Sequence, residues 1–138
     1  MQRFTCNICG AVCTAEKLER ETPSCDGCGS NVRFRWIVHA LSMGLFGESI
    51  PLRHFPVRRE IRGIGLSDPR PIADALAYCL DYVNTSYHTR PRFDIKYPTG
   101  ECGFDFVIAS EVFEHVAPPV QRAFDNLRSI LKLSLIHI

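Results

Sequence analysis

Three stretches of the chain repeat apolar residues every three or four positions, the spacing of one buried helix face. The predicted helices span about residues 31–46, 69–80 and 120–131. Ser30 or Asn31 can cap the first helix, and Gly47 can end it. Asp68 is the predicted cap of the second, with Pro69 at its first helical position.

Short apolar segments of strand length lie between these helices. They are predicted over residues 50–55, 61–68, 82–87 and 104–109. The last is a nearly continuous apolar run, typical of a strand buried on both faces of a parallel sheet. Strands that alternate with helices predict an α/β fold whose sheet is covered on both sides. Ligands of such sheets bind at the carboxyl ends of the strands.

Composition fits a compact globular chain of 138 residues, because 46% of the residues are hydrophobic and 22% are charged. Sixteen Lys and Arg against fifteen Asp and Glu leave a formal charge of +1, so no global attraction to nucleic acid or to an anionic membrane is expected. The N-terminus lacks the apolar core of a secretory signal, and no stretch reaches the roughly 18 apolar residues of a membrane span. We therefore expect a cytoplasmic location.

Cysteines are concentrated at the N-terminus, where five of the seven lie within the first 28 residues. Two C-x2-C pairs, Cys6 with Cys9 and Cys25 with Cys28, are separated by fifteen residues. This spacing is that of a four-thiolate zinc site, and Gly10 and Gly29 after the pairs suit the tight turns of a zinc ribbon. The pattern predicts a ribbon over residues 1–31, with a structural zinc ion that supplies most of its folding free energy.

Other interpretations of the cysteines stay open at this point. A disulfide framework would need a secreted protein, and a redox C-x-x-C would need a strand and helix around the pair. Cys13 is a fifth cysteine in the same region. Its spacing from Cys9 fits a metal-binding turn less well, so we predict that Cys13 is not a ligand.

Basic residues give only a weak local signal for nucleic-acid binding. Arg33 and Arg35 in the first turns of the first predicted helix could meet phosphate, but the alternative of a solvated helix face is favoured. The other members of this local patch are Arg58, Arg59 and Arg62. We expect no membrane partner and do not predict nucleic acid as a partner.

Residues 104–116 carry a longer resemblance. FDFVIASEVFEHV, followed by Pro118 and a helix, resembles the fourth strand and following helix of class I S-adenosylmethionine-dependent methyltransferases. Gly63 to Ser67 (GIGLS) resembles a segment at the end of that family's second strand, and Phe93-Asp94-Ile95 resembles its loop acid over the adenine. The N-terminal cysteine pairs are similar to zinc-ribbon extensions that some of these enzymes carry.

The resemblance implies a partial Rossmann-like, doubly wound parallel sheet over residues 32–132 that binds S-adenosylmethionine, a small-molecule methyl donor. The implied cofactor-binding residues are Gly63, Gly65, Ser67, Asp68, Asp94 and Ile95. His115 or Glu111 could take a proton from the methyl acceptor, whose identity the sequence does not give. For His115, a hydrogen-bonded helix cap is an equal alternative.

The glycine segment can also be interpreted as the glycine-rich loop after the first strand. Counting the residues needed for the intervening strands and crossovers favours the second strand. Two departures from the family follow, because residues 50–59 contain no glycine and Gly65 stands where an acid should grip the ribose. The alternative function is therefore a non-enzymatic zinc-ribbon interaction protein with a degenerate body, in which the glycines form a turn without a ligand.

The end of the chain departs from the family as well. Leu131-Lys132 continues into LSLIHI, which resembles read-through of a transposase end used in sequencing libraries. We expect residues 133–138 to be non-native and the methyltransferase-like domain to be C-terminally truncated. The fragment by itself is then expected to be inactive.

Overall fold

The structure is a computed structural model that describes residues 1–97 and 100–137, with only the backbone described from residue 133 onward. The chain forms two compact units, Met1–Pro56 and Val57–Ile138. The helix that follows the cysteine pairs belongs to the first unit, whereas the sequence prediction assigned it to the second. Residues 133–137 of the predicted non-native tail continue a strand backbone, and residue 138 lies outside the described residues.

The first unit combines a β-hairpin, a second cysteine turn and one helix. Strands β1 (Gln2–Thr5) and β2 (Val12–Ala15) pair antiparallel. Helix α1 (Val32–Phe46) starts at Asn31, whose side chain accepts a hydrogen bond from the amide of Phe34 at 2.9 Å. It ends at Gly47, which takes the left-handed conformation that glycine adopts without strain. Both predicted ends of this helix are confirmed.

The second unit contains a four-stranded parallel sheet in the order β4-β3-β5-β6. Its strands are β3 (Arg58–Leu66), β4 (Leu80–Thr85), β5 (Phe104–Ile108) and β6 (Leu131–His137). The chain moves outward from β3 to β4 on one side, and then outward from β5 to β6 on the other. The strand order therefore reverses between β3 and β5, in the middle of the sheet. This confirms the α/β class with a parallel sheet.

Two helices connect the strands of this sheet. Helix α2 (Arg70–Cys79) links β3 to β4, and α3 (Gln121–Ile130) links β5 to β6. Right-handed crossovers that leave the centre in opposite directions place their helices on opposite faces. On the α3 side, buried apolar residues of β3, β5, β6, α3 and the loop between β4 and β5 form one core. Its buried members are Ile64, Leu66, Ile95, Phe104, Val107, Ala123, Leu127, Ile130 and Leu131.

Several predicted elements differ from the observed ones. Residues 50–55 form no strand, because Leu52–His54 is a single 3-10 turn between Pro51 and Pro56, and prolines cannot donate to a sheet. Among the described residues, no strand of the sheet precedes β3, so the placement of the glycine segment on a second strand was wrong. Asp68 does not cap α2, whose N-cap residue is Pro69 without a side-chain hydrogen bond.

Candidate functional site

Four cysteine sulfurs of the first unit lie close enough to hold one metal ion. The Sγ atoms of Cys6, Cys9, Cys25 and Cys28 all lie within 4.8 Å of one another. The sulfurs of Cys9 and Cys25 are 3.5 Å apart, and those of Cys6 and Cys28 are 3.8 Å apart. Zinc–sulfur bonds of about 2.3 Å in a tetrahedron require sulfurs about 3.8 Å apart. The donor set therefore fits a four-thiolate zinc site.

Two equivalent turns build this cluster from the sequence. The amide of Gly10 donates to the carbonyl of Cys6, and the amide of Gly29 donates to the carbonyl of Cys25, each at 2.8 Å. Both glycines have positive φ, +80° and +69°, which a side chain would strain. Each C-x2-C-G segment thus closes on itself and turns its two sulfurs toward the same point.

Polar groups behind the second turn support the cluster. The Ser30 hydroxyl lies 3.3 Å from the Cys6 sulfur and can donate to it as a thiolate. Arg35 in α1 donates to the Ser30 carbonyl at 2.9 Å and to the Ser30 hydroxyl at 3.3 Å. A further bond at 2.8 Å joins Arg35 to the Ser24 hydroxyl. The positive charge of Arg35 therefore lies close to the cluster, with Ser30 between them. This charge would offset the net negative charge that four thiolates leave around a divalent ion.

The thiols of the cluster differ in acidity. Burial raises the pKa of the Cys9 thiol to about 12. For Cys25, burial acts in the same direction, but hydrogen bonds from the Cys28 backbone, the Cys9 side chain and the Gly27 backbone outweigh it and lower the pKa to about 6. Of these two thiols, Cys25 therefore loses its proton more readily. Binding of a metal must displace the proton of Cys9.

Cys13 lies beside the cluster but outside the set of four. Its side chain is buried, and its sulfur is 3.6 Å from the Cys25 sulfur. Cys13 lies in β2, the strand that follows the first cysteine turn, and it pairs with Phe4 of β1. Cys13 is not among the four cysteines whose sulfurs lie within 4.8 Å of one another.

A second candidate site is the carboxyl edge of the parallel sheet, at the point where the strand order reverses. Ser67 and Asp68 follow β3, and Ser110 and Glu111 follow β5. Ser67 has φ 64° and Glu111 has φ 57°. Among the residues that the structure describes, these two are the only ones other than glycine with positive φ. Such backbone strain of about 1–3 kcal/mol each concentrates at ligand sites and switch regions.

Gly63 and Gly65 make room for side chains of neighbouring strands. A Cβ on Gly63 would lie 2.0 Å from the ring of Phe106. A Cβ on Gly65 would lie 1.9 Å from the Tyr82 hydroxyl and 2.1 Å from the Asp68 carboxylate. Both glycines lie within β3 and not in the turn after it. Packing thus explains why these two positions lack side chains.

Asp68 is turned back toward the sheet. Its carboxylate is buried and accepts a hydrogen bond from the Tyr82 hydroxyl, and burial together with this carboxylate raises the pKa of Tyr82 far above its usual range. Asn84 accepts from the Asp68 amide at 2.9 Å and donates to the Asp68 carbonyl at 3.0 Å. The end of β4 therefore fixes the turn after β3 in one conformation.

Asp94 and Ile95 lie on a separate loop between β4 and β5. The Asp94 carboxylate accepts from the amide of Lys96 at 2.9 Å. Ile95 is buried in the α3-side core, and its carbonyl accepts from the Asn126 side chain at 2.8 Å. α3 thereby anchors this loop.

The two predicted proton acceptors differ in exposure. His115 is in a short 3-10 turn, Phe113–His115, and its side chain is 79% exposed. Its Nε2 lies 3.5 Å from the carboxylate of Glu114, which is also exposed. Glu111 is half-buried and lies three residues after β5. Of the two, Glu111 is placed at the reversal point of the sheet, and His115 lies four residues farther along.

The arginines of the predicted basic patch have partners within their own units. Arg33 pairs with Glu21 at 2.9 Å, and Arg59 donates to three backbone carbonyls at the end of α2. Arg62 bonds Asp81 and the Cys102 carbonyl, and Arg58 pairs with Glu60. Each of these four arginines thus has a hydrogen-bond or ion-pair partner in the structure.

Among residues 1–97 and 100–137, no helix has the length and apolar character needed to cross a membrane.

Comparison of the chain with protein-family models, with curated proteins and with solved structures gives no match.

Sequence reasoning missed the residues that support the cysteine cluster. Arg35 was interpreted as part of a solvated helix face, yet it contacts Ser24 and Ser30. The signal that could have revealed this role is the pair of serines that flank Cys25 and Cys28.

Proposed function

We propose that the second unit is the cofactor-binding part of an S-adenosylmethionine-dependent methyltransferase, and that the first unit holds a structural zinc ion. The observation that carries the methyltransferase proposal is the reversal of strand order between β3 and β5. Ligands of open parallel sheets bind at such a reversal, outside the carboxyl ends of the strands. In this proposal the sheet is a partial Rossmann-like, doubly wound fold.

The two strained residues support the same location. Ser67 and Glu111 follow the two strands on either side of the reversal, and both take a left-handed conformation. Asn84 holds the turn after β3 by two hydrogen bonds, so this turn is organised before any ligand arrives. The sequence FDFVIASEVFEHV of β5 and its following loop contributes the resemblance to the family.

The observed strand order changes the roles that we propose for the glycine segment, residues 63–67. Since β3 is the first strand of the sheet, the turn at Ser67 and Asp68 takes the place of the family's glycine-rich loop. The Ser67 side chain and carbonyl would approach the cofactor, because the amides of Ser67 and Asp68 already donate to Thr85 and Asn84. The Asp68 carboxylate would brace the turn through Tyr82, because it is buried against the sheet.

S-adenosylmethionine supplies a methyl group activated on a sulfonium, so the protein mainly has to hold donor and acceptor in line. Glu111 is the side chain best placed to contact the cofactor or to take a proton from the acceptor. His115, exposed four residues later, is the second proton acceptor proposed. The zinc ion, with four protein ligands, has no open position and is structural.

A second candidate is a zinc-ribbon interaction protein whose α/β body binds no cofactor. The inward-turned Asp68 carboxylate and the side chains packed on Gly63 and Gly65 favour it. In that case the turn after β3 is only a strand-to-helix connection.

Calorimetric titration of the zinc-loaded 138-residue chain with S-adenosylhomocysteine separates the two candidates. The methyltransferase proposal predicts saturable binding, weakened about tenfold by Glu111→Gln through loss of a charge-assisted hydrogen bond. Glu114→Gln is the matched control, because Glu114 is an exposed acid three residues away. Absence of saturable binding, or equal binding by the two variants, contradicts the proposed role of the sheet edge.

A further inference from the structure

The fifth cysteine of the first unit has a position that zinc coordination does not explain. The Cys13 sulfur lies 3.6 Å from the sulfur of Cys25, as close as two ligands of the cluster lie to each other. Cys13 and Cys25 are both buried, and they belong to different segments of the unit. An unligated thiol therefore touches one zinc ligand.

We propose that Cys13 and Cys25 are a redox pair, which a hydroperoxide oxidises to a disulfide with release of the zinc ion. The proposal rests on the zinc site proposed above and is independent of the methyltransferase assignment. Bond formation requires the two sulfurs to approach by roughly 1.5 Å, to a bond length of about 2.05 Å. Cys9 and Cys28 are only half-buried, so one side of the cluster is open to a small oxidant.

The reaction is a two-electron oxidation of the sulfur pair. The Cys25 thiolate attacks a peroxide oxygen, breaks the O–O bond and becomes a sulfenic acid. The Cys13 sulfur then attacks the sulfenic sulfur and displaces its hydroxyl group as water. With hydrogen peroxide, two water molecules form in total, since one proton comes from the Cys13 thiol and one from solvent.

Cys13 is the neighbour best placed to complete this reaction. The other sulfurs near Cys25 are bound to the metal in the loaded site, whereas Cys13 lies outside the four. The sulfenate of Cys25 can still bind the metal, whereas the disulfide cannot, so disulfide formation leaves three thiolates, which no longer close the tetrahedral shell of a structural zinc site. The new disulfide would join the hairpin to the second cysteine turn, the same two segments that the metal joins.

The test is zinc release from the loaded 138-residue chain during treatment with hydrogen peroxide, followed with a colorimetric zinc indicator. Wild type should release its zinc, and a dithiol reductant with added zinc should restore it. Cys13→Ser and Cys13→Ala should bind zinc normally but release it about tenfold more slowly, because the neighbouring thiol acts at high effective concentration. Cys102→Ser, which removes an exposed cysteine of the second unit, is the matched control.

Mass spectrometry of the oxidised wild type should find a peptide that links Cys13 to Cys25. The proposal is overturned if Cys13 remains alkylatable after zinc release, if the disulfide joins two of the four ligands, or if the Cys13 variants release zinc at the wild-type rate. A purified chain that takes up no zinc would instead refute the proposed zinc site, so the two failures are distinguishable.

Discussion

Removal of the Arg35 side chain should weaken zinc binding without removing a ligand. Arg35→Ala deletes the bonds to the Ser30 carbonyl and hydroxyl and to the Ser24 hydroxyl. Ser30 then loses the group that orients its hydroxyl toward the Cys6 sulfur. The substitution also removes a cation that stacks on the Phe4 ring, with 4.5 Å between the guanidinium carbon and the ring centroid.

The expected magnitude follows from the distances. Two successive contacts of 3.3 Å join the guanidinium to the Ser30 hydroxyl and that hydroxyl to the Cys6 sulfur, so the charge lies within roughly 7 Å of the thiolate. Coulomb's law at an effective dielectric constant of about 20 gives roughly 2–3 kcal/mol for one unit charge at that distance. Partial exposure of Arg35 reduces this value, and we expect zinc affinity to fall about 10- to 100-fold, the range typical of residues that support metal ligands.

Competition for zinc between the protein and a chromophoric chelator at neutral pH measures this change. Arg33→Ala is the control, because Arg33 lies in the same helix but pairs with Glu21. Arg35→Lys keeps the charge and loses the planar fork, so its affinity should fall between those of wild type and Arg35→Ala. Equal zinc affinity of the Arg35→Ala and Arg33→Ala variants would show that Arg35 does not support the cysteine cluster.

Three further predictions concern stability. Gly63→Ala should destabilise the second unit by about 1–3 kcal/mol through overpacking against Phe106, and Phe106→Leu should relieve this in the double variant. Hydrogen exchange of β3 and β5 amides measures both effects, and strictly additive losses would argue against the contact. Because the folded pKa of Tyr82 is raised, its contribution to stability is complete below about pH 10, the unfolded pKa, and is lost as pH rises further. Unfolding free energies at alkaline pH should therefore fall more steeply for wild type than for Tyr82→Phe, and equal slopes would contradict this sign. Asn31→Ala should cost about 1 kcal/mol by removing the cap of α1, measured by thermal unfolding, while an unchanged midpoint would mean that the cap contributes nothing.

Cysteine spacing was sufficient to predict the cluster of four cysteines. C-x2-C turns form locally, since one backbone bond from the following glycine closes each turn. The buried strand β5 was also identifiable, because a strand covered on both faces must be apolar at nearly every position. In both cases the residues of one short segment determine the structure of that segment.

Topology could not be derived from the same local patterns. The sequence prediction excluded a first-strand placement because it assumed two strands between the glycine segment and β5, and among the described residues only β4 lies there. The order of the strands in the sheet depends on pairing between distant residues, which no short stretch of sequence reveals. The packing role of Gly63 and Gly65 could not be predicted for the same reason, because it depends on Phe106 and Tyr82 in adjacent strands.

The sequence predicted which residues follow β3 and β5, but it did not predict their backbone conformations. Ser67 and Glu111 were both proposed as site residues, and both turn out to have left-handed backbone conformations. Their strain has no signature in the sequence, since neither is a glycine or an asparagine. The inward direction of the Asp68 carboxylate likewise depends on Tyr82, fourteen residues away.

Amide chemical-shift mapping of the zinc-loaded chain with S-adenosylhomocysteine shows whether a nucleoside binds at the carboxyl edge of the sheet. We expect saturable shifts concentrated in the two segments that follow β3 and β5, at Ser67–Asp68 and Ser110–Glu111. A titration that leaves both segments unmoved, or that shifts residues scattered over other parts of the chain, would contradict the assignment of a nucleoside site to this edge.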